Sequence, residues 1–203
     1  MAARARSGSS TSASTRPPGS RPGGWLGSRT TGAKYELGFH VATTCNHRDA
    51  LRSVEIAIAE AEHVLGKPLA QDLHVDRDTG EICKIKLVTD NGPAFKSSRF
   101  ASFVAATAVL EHIRIKARSP GQNGVRERRF GSLKYEHLCR HEITDGVAVA
   151  REAEAYRQVF NHFRPHESLG MARAAERYLA AVHDRPEPVS ALNQSEPENL
   201  PLS

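Results

Sequence analysis

The first sustained alternation of apolar and polar positions runs from Lys34 to Thr43. Tyr35, Leu37, Phe39 and Val41 fall on one side, and Glu36, Gly38 and His40 on the other, a period of two that predicts a strand. The period then lengthens. Leu51, Val54, Ile58, Ala61 and Leu65 recur at helical spacing within Asp49 to Leu65, and Gly66 followed by Pro68 predicts where that helix stops. After a polar turn from Asp76 to Gly80, the apolar stretch Ile82 to Val88 reads as a short buried strand. Ser97 or Ser98 is placed to cap a helix through Phe100, Phe103 and Val104. His112 to Lys116 reads as another short strand, ahead of a loop with Pro120 and Gly121. Helices are predicted from about Gly121 to Cys139, from Val147 to Asn161 and from Ala172 to His183. Strands interleaved with helices predict an α/β domain, and no internal repeat is visible.

The two ends lack this patterning. Residues 1–31 are mostly Ser, Gly, Arg, Ala and Pro, with Trp25-Leu26 as the one apolar anchor, so they are expected to be disordered and low in complexity. Residues 184–203 carry Pro186, Pro188, Pro197 and Pro201 and are expected to form a disordered tail. The folded core is therefore expected at 32–183.

Charge narrows the class of partner. Lys and Arg total 28 against 23 Asp and Glu, giving a net charge of +5 and a pI near 9.3, which favours nucleic acid among soluble partners. The three cysteines Cys45, Cys83 and Cys139 are far apart with no C-x-x-C pair, which supports neither a disulfide framework nor a zinc knuckle. No apolar run follows the N-terminal arginines and none approaches the ~20 residues of a membrane span. A cytoplasmic, nucleoid-associated protein with no membrane partner is expected.

Two segments carry candidate chemistry. Asp90 directly follows the strand ending at Val88-Thr89, in Thr89-Asp90-Asn91-Gly92-Pro93-Ala94-Phe95. The carboxyl ends of strands are where open α/β sheets build their sites, although Asp-Asn-Gly equally suits an Asx turn or a helix cap. Glu127 lies in Ser119-Pro120-Gly121-Gln122-Asn123-Gly124-Val125-Arg126-Glu127, and on one continuous α-helix Asn123, Glu127 and Lys134 share a face. Taken alone, Glu127 among Arg126, Arg128 and Arg129 is equally a solvated charged face. The ten histidines are scattered, and Cys139-x-His141 is only a fragment of a metal-ligand set, so they read as surface residues.

Together these segments resemble the catalytic core of bacterial insertion-sequence transposases, a ribonuclease-H-like domain shared with retroviral integrases. Ser132-Leu133-Lys134 resembles the usual continuation of the Glu127 helix, and Asn161-x-x-Arg164-Pro165-His166-Glu167-Ser168-Leu169-Gly170 the usual C-terminal element. The resemblance runs from about Lys34 to Leu179. It implies a mixed sheet flanked by helices, Asp90 and Glu127 as catalytic metal-binding carboxylates, and Mg²⁺ or Mn²⁺ as the cation. It implies DNA as substrate, Asn123, Arg126 and Lys134 as DNA-contacting residues, a structural or backbone-contacting role for His166, and a homo-oligomer or an intact transposase subunit as partner.

One element of the pattern is missing. The resemblance puts the first carboxylate on the first strand, near Thr30, but no Asp or Glu precedes Glu36. The first strand is thus expected to be missing or disrupted, as in a truncated or frameshifted transposase with residues 1–31 as unrelated sequence. Asp49 reads as a helix N-terminal residue and Asp72, Asp76 and Asp78 as loop charges, so none is a ready substitute. Phosphodiester chemistry on two cations is then expected to fail, the alternative being a non-catalytic nucleic-acid-binding or assembly module that regulates an intact transposase.

Overall fold

The structure, a computed structural model, describes residues 9–15, 23–76, 78–115, 130–141, 143 and 145–184. Its strands are β1 (Ser9–Thr15), β2 (Gly23–Arg29), β3 (Glu36–Ala42), β4 (His74–Val75), β5 (Ile82–Cys83), β6 (Ile85–Thr89) and β7 (Leu110–Arg114). Its α-helices are α1 (His47–Leu65), α2 (Pro93–Lys96), α3 (Ser98–Ala106), α4 (Gly146–His162) and α5 (Ala174–His183). Between α3 and α4 lies a π-helical segment, Ser132–His137, closed by a short 3₁₀ turn, Leu138–Arg140.

Five strands form one mixed sheet in the order β3-β2-β1-β6-β7. β1, β2 and β3 pair antiparallel, β1 joins β6 in parallel through Ser9↔Val88 and Ser10↔Thr89, and β6 pairs β7 in parallel from Ile85↔Leu110 to Thr89↔Arg114. The parallel half needs crossovers, and α2 and α3 supply the one between β6 and β7.

Within the expected disordered stretch 1–31, where the first strand was also expected to be missing or disrupted, residues 9–15 and 23–31 are described, and 1–8 and 16–22 lie outside the described residues. Ser9–Thr15 and Gly23–Arg29 are strands, and β1 fills the centre of the sheet. Poor apolar content argued against order, yet in mid-sheet the neighbours on both sides satisfy the backbone, so a strand can stand there on its hydrogen bonds. Leu26, half of the predicted anchor, is buried on β2. The predicted strand Ile82 to Val88 also divides. Ile82–Cys83 turns away to pair with His74–Val75, and only Ile85–Thr89 enters the main sheet. The last strand begins at Leu110 rather than His112.

Helix ends follow local chemistry. Asn46 caps α1 by accepting from the Arg48 and Asp49 N–H groups at 2.8 and 3.3 Å, and Asp49 returns a bond from the Asn46 N–H at 2.9 Å. Asp49 is thus the helix N-terminal residue its position suggested. Gly66 closes α1 at φ 67°, a left-handed turn that glycine adopts without strain. Gly38 on β3 sits at φ +158°, and a Cβ there would meet Ile56 Cγ2 of α1 at 2.5 Å, so the helix rests directly on the strand backbone.

The core lies between the sheet and its helices, with Phe100, Leu26, Leu133 and Val54 fully enclosed. Burying such a side chain is worth about 1.5–3 kcal/mol. The C-terminal helices are tied to β3 by polar bonds as well. Asn161 of α4 accepts from the Glu36 N–H at 2.8 Å and donates to the Glu36 carbonyl at 2.9 Å, so its amide acts as one more strand residue on the sheet edge. Arg157, one turn earlier, pairs with Glu60 of α1 at 2.6 Å and with Glu154 at 2.7 Å. Glu60 also accepts from the Tyr35 hydroxyl at 2.7 Å, and Tyr35 stacks on Tyr178 of α5 at 4.8 Å. Strand β3, α1, α4 and α5 are thereby locked together.

Candidate active site at the end of β6

Asp90 is placed by the strand before it and the turn after it. Thr89 is fully buried, and its hydroxyl donates to the Asp90 carbonyl at 3.1 Å while lying 2.8 Å from His112 Nε2 on β7. A hydroxyl has one proton, so with that proton on the carbonyl the imidazole carries its own on Nε2 and donates to Thr89. Burial first, and then the nearby Arg114, hold the His112 pKa below its usual value, in keeping with a neutral ring. The Asn91 amide donates to the Ile115 carbonyl at 2.7 Å, fastening the turn to the end of β7.

The turn is the Asx type that its sequence allowed. Asp90 Oδ1 accepts from the Gly92 N–H at 2.7 Å. A Cβ at position 92 would lie 2.8 Å from that same oxygen, so glycine is needed for close approach to the carboxylate rather than for an unusual φ. Pro93 then opens α2, and Phe95 packs edge-on against Phe100 at 5.2 Å, anchoring the turn in the core. The Asp90 side chain is half-buried at the carboxyl end of a parallel strand.

Of the other predicted site residues, Asn123, Arg126 and Glu127 lie outside the described residues. Lys134 is half-buried, with its ammonium 4.9 Å from the Tyr135 ring centre. Lys134 lies in the π-helical segment Ser132–His137. His166 is buried, 3.3 Å from the Phe160 carbonyl and 4.5 Å from the Phe160 ring, which fits a structural role.

The expected position of the first carboxylate is also corrected. Thr30 lies just after β2, in the turn to β3, where it bonds to Tyr35 through both its N–H and its hydroxyl at 2.9 and 3.0 Å. The strand beside β6 is β1, paired through Ser9↔Val88 and Ser10↔Thr89. Its sequence is Ser-Ser-Thr-Ser-Ala-Ser-Thr, without a carboxylate. The candidate substitutes are engaged elsewhere: Asp49 with His40 at 3.2 Å, Asp72 with Lys67 at 2.8 Å, and Asp76 in its own turn with the Asp78 N–H at 2.9 Å.

Strand order, the parallel β1–β6–β7 set and an aspartate at the end of β6 invite comparison with known proteins. Residues 108–173 match the family model described as "Integrase core domain". An uncharacterized 39.2 kDa protein of insertion element IS476 from Xanthomonas euvesicatoria is 37% identical over 89 residues, 43% of this chain and 25% of that protein. A putative transposase InsD for insertion element IS2E of Escherichia coli is 30% identical over 96 residues, 47% of this chain and 43% of that protein. Over these segments the chain is similar to the integrase-type core of insertion-sequence transposases. The chain spans less than half the length of the relatives it matches. Its fold is that of the HTLV-2 integrase catalytic core domain in complex with magnesium, with a TM-score of 0.54 and 16% identity over 83% of this chain and 93% of that one. A chain of the simian T-cell lymphotropic virus intasome in complex with PP2A regulatory subunit B56 gamma gives a TM-score of 0.60 at 17% identity, covering 97% of this chain and 59% of that one. These likenesses show the ribonuclease-H-like α/β architecture with its mixed sheet.

A two-cation site needs several carboxylates to neutralise and hold hard ions. Among the described residues this end of the sheet offers Asp90 and no carboxylate on β1, and Glu127 lies outside the described residues. A different group does come together. His137, His141 and Glu152 each present a donor atom within 4.8 Å of the others. Composition scattered these histidines among ten, and the signal available was the four-residue spacing of His137 and His141. Glu152 comes from α4 and was not visible as a neighbour. Among the described residues, no helix is long and apolar enough to cross a membrane.

Proposed function

We propose that this integrase-type core takes part in DNA transposition without itself breaking or joining phosphodiester bonds. The observation that carries the proposal is the strand beside Asp90, which holds serine, threonine and alanine where a shared cation site needs a carboxylate. Asp90 and Glu127 are the two carboxylates that remain, and Mg²⁺ or Mn²⁺ is the cation they suit. With Asp90 and Glu127 alone, the negative charge at the site is too small to hold two divalent ions at about 4 Å from each other. Asn123, Arg126 and Lys134 contact the DNA strand, and the net charge of +5 supports binding to phosphates independent of base sequence.

A second reading is favoured by the completeness of the sheet. A core that keeps all five strands while lacking a carboxylate is suited to assemble, either with its own copies or with an intact transposase subunit, and so to regulate it in mixed multimers. The test is strand cleavage and joining by the purified chain on element-end DNA with Mg²⁺ or Mn²⁺. The expected result is DNA retention without product. Product above the level given by Asp90→Asn overturns the proposal.

A further inference from the structure

We propose that His137, His141 and Glu152 form a transition-metal site, best suited to Zn²⁺, separate from the Asp90 end of the sheet. The geometry stands on its own, independent of the proposed role in transposition. His137 Nε2 lies 3.2 Å and His141 Nδ1 3.7 Å from the same oxygen, Glu152 Oε2. The two imidazole centres are 4.6 Å apart, and the three donor atoms lie within 4.8 Å of one another. Zinc held at about 2.0–2.1 Å by nitrogen and oxygen in a tetrahedron separates its ligands by about 3.3 Å, so small side-chain rotations close this set around one ion.

The chemistry selects the metal class. Two imidazoles and one carboxylate are the ligand types of zinc and its neighbours, whereas magnesium takes oxygen. The carboxylate among the three ligands complements the charge of a divalent cation. The other carboxylate oxygen, Oε1, faces the largely exposed Arg151 at 3.5 Å, which leaves Oε2 to the two rings. The buried Tyr156 ring lies 5.8 Å from the His137 ring, giving the site an apolar wall, while His141 stands toward solvent. Three protein ligands with an open side leave the fourth position to water.

The ligands come from two helical elements and the residue after the turn between them. His137 ends the π-helical segment, His141 follows the 3₁₀ turn and Glu152 belongs to α4. Departures from α geometry of this sort are often found at functional sites. The bound ion fastens this irregular stretch to the long helix that clamps β3.

Titration of the full chain with Co²⁺ as a spectroscopic stand-in, followed by competition with Zn²⁺, tests the site. One equivalent with the intense visible bands of four-coordinate Co²⁺ is expected, displaced by Zn²⁺ and accompanied by a rise in Tm. Asp90→Asn keeps that equivalent, while His141→Ala and Glu152→Gln each lose it. His141 is exposed, so its variant keeps the fold, which circular dichroism checks. Absence of the bands in the native chain overturns the assignment, as does their survival in both ligand variants or their loss in Asp90→Asn.

Discussion

The parallel half of the sheet, β6 and β7, and the antiparallel half, β1 to β3, are held in different ways. In the parallel half, short strands are fixed by side chains on their flanks: Thr89 meets His112, Asn91 reaches the end of β7, and Phe95 and Phe100 seat the turn that carries Asp90. In the antiparallel half the backbone does more of the work. β1 is bonded on both sides, α1 rests on the bare Gly38, and the Asn161 amide completes the edge of β3. The difference separates a strand's place from its chemistry. A central strand can hold its position with serine and threonine, but the carboxylate that a cation site needs must come from a particular residue.

That contrast breaks most visibly at Asn161. Asn161→Leu removes both bonds that the buried Asn161 amide makes with the Glu36 backbone and is expected to cost about 3 kcal/mol, read as a lower guanidinium midpoint with unchanged slope. Gly38→Ala, on the same strand, forces a Cβ into Ile56 and a strained φ, and is expected to cost about 2 kcal/mol in the same measurement. In the parallel half, Gly92→Ala sets a methyl group against Asp90 Oδ1. About 1 kcal/mol of stability is expected to go, with amide chemical-shift changes confined to residues 89–96. A result in which Gly92→Ala costs more than Asn161→Leu contradicts the division between the halves.

The smallest effect is pH dependence. Burial holds His112 and His166 below the usual histidine pKa, with neighbouring cations adding to the shift. As pH falls through about 6.5 the unfolded chain takes up these protons before the folded one, so the stability they contribute is present above that value and is lost below it. Tm is expected to decline from pH 7 to pH 5. His112→Gln flattens part of that decline, and an unchanged profile contradicts the neutral His112 ring.

How much of this was legible follows from the same physics. Asp90 was readable because an apolar strand, an Asp-Asn-Gly-Pro turn and a following helix are all local signals. The end of α1 was readable from spacing and Gly66, while its start at His47, capped by Asn46, precedes the expected Asp49 by two residues. β1 was not, since a strand of Ser, Thr and Ala has neither apolar alternation nor β-rich composition and is stabilised by neighbours far away in sequence. The position near Thr30 that the resemblance implies therefore differs from the strand beside β6, which begins at Ser9. The His137–His141–Glu152 group was hidden because Glu152 is brought in by the packing of α4.

The central claim is that the β1–β6 junction cannot hold a pair of divalent cations. Electron paramagnetic resonance of the chain at saturating Mn²⁺ tests it directly. Isolated ions alone are predicted, whereas a spin-coupled Mn²⁺ pair at about 4 Å that vanishes in Asp90→Asn would contradict it.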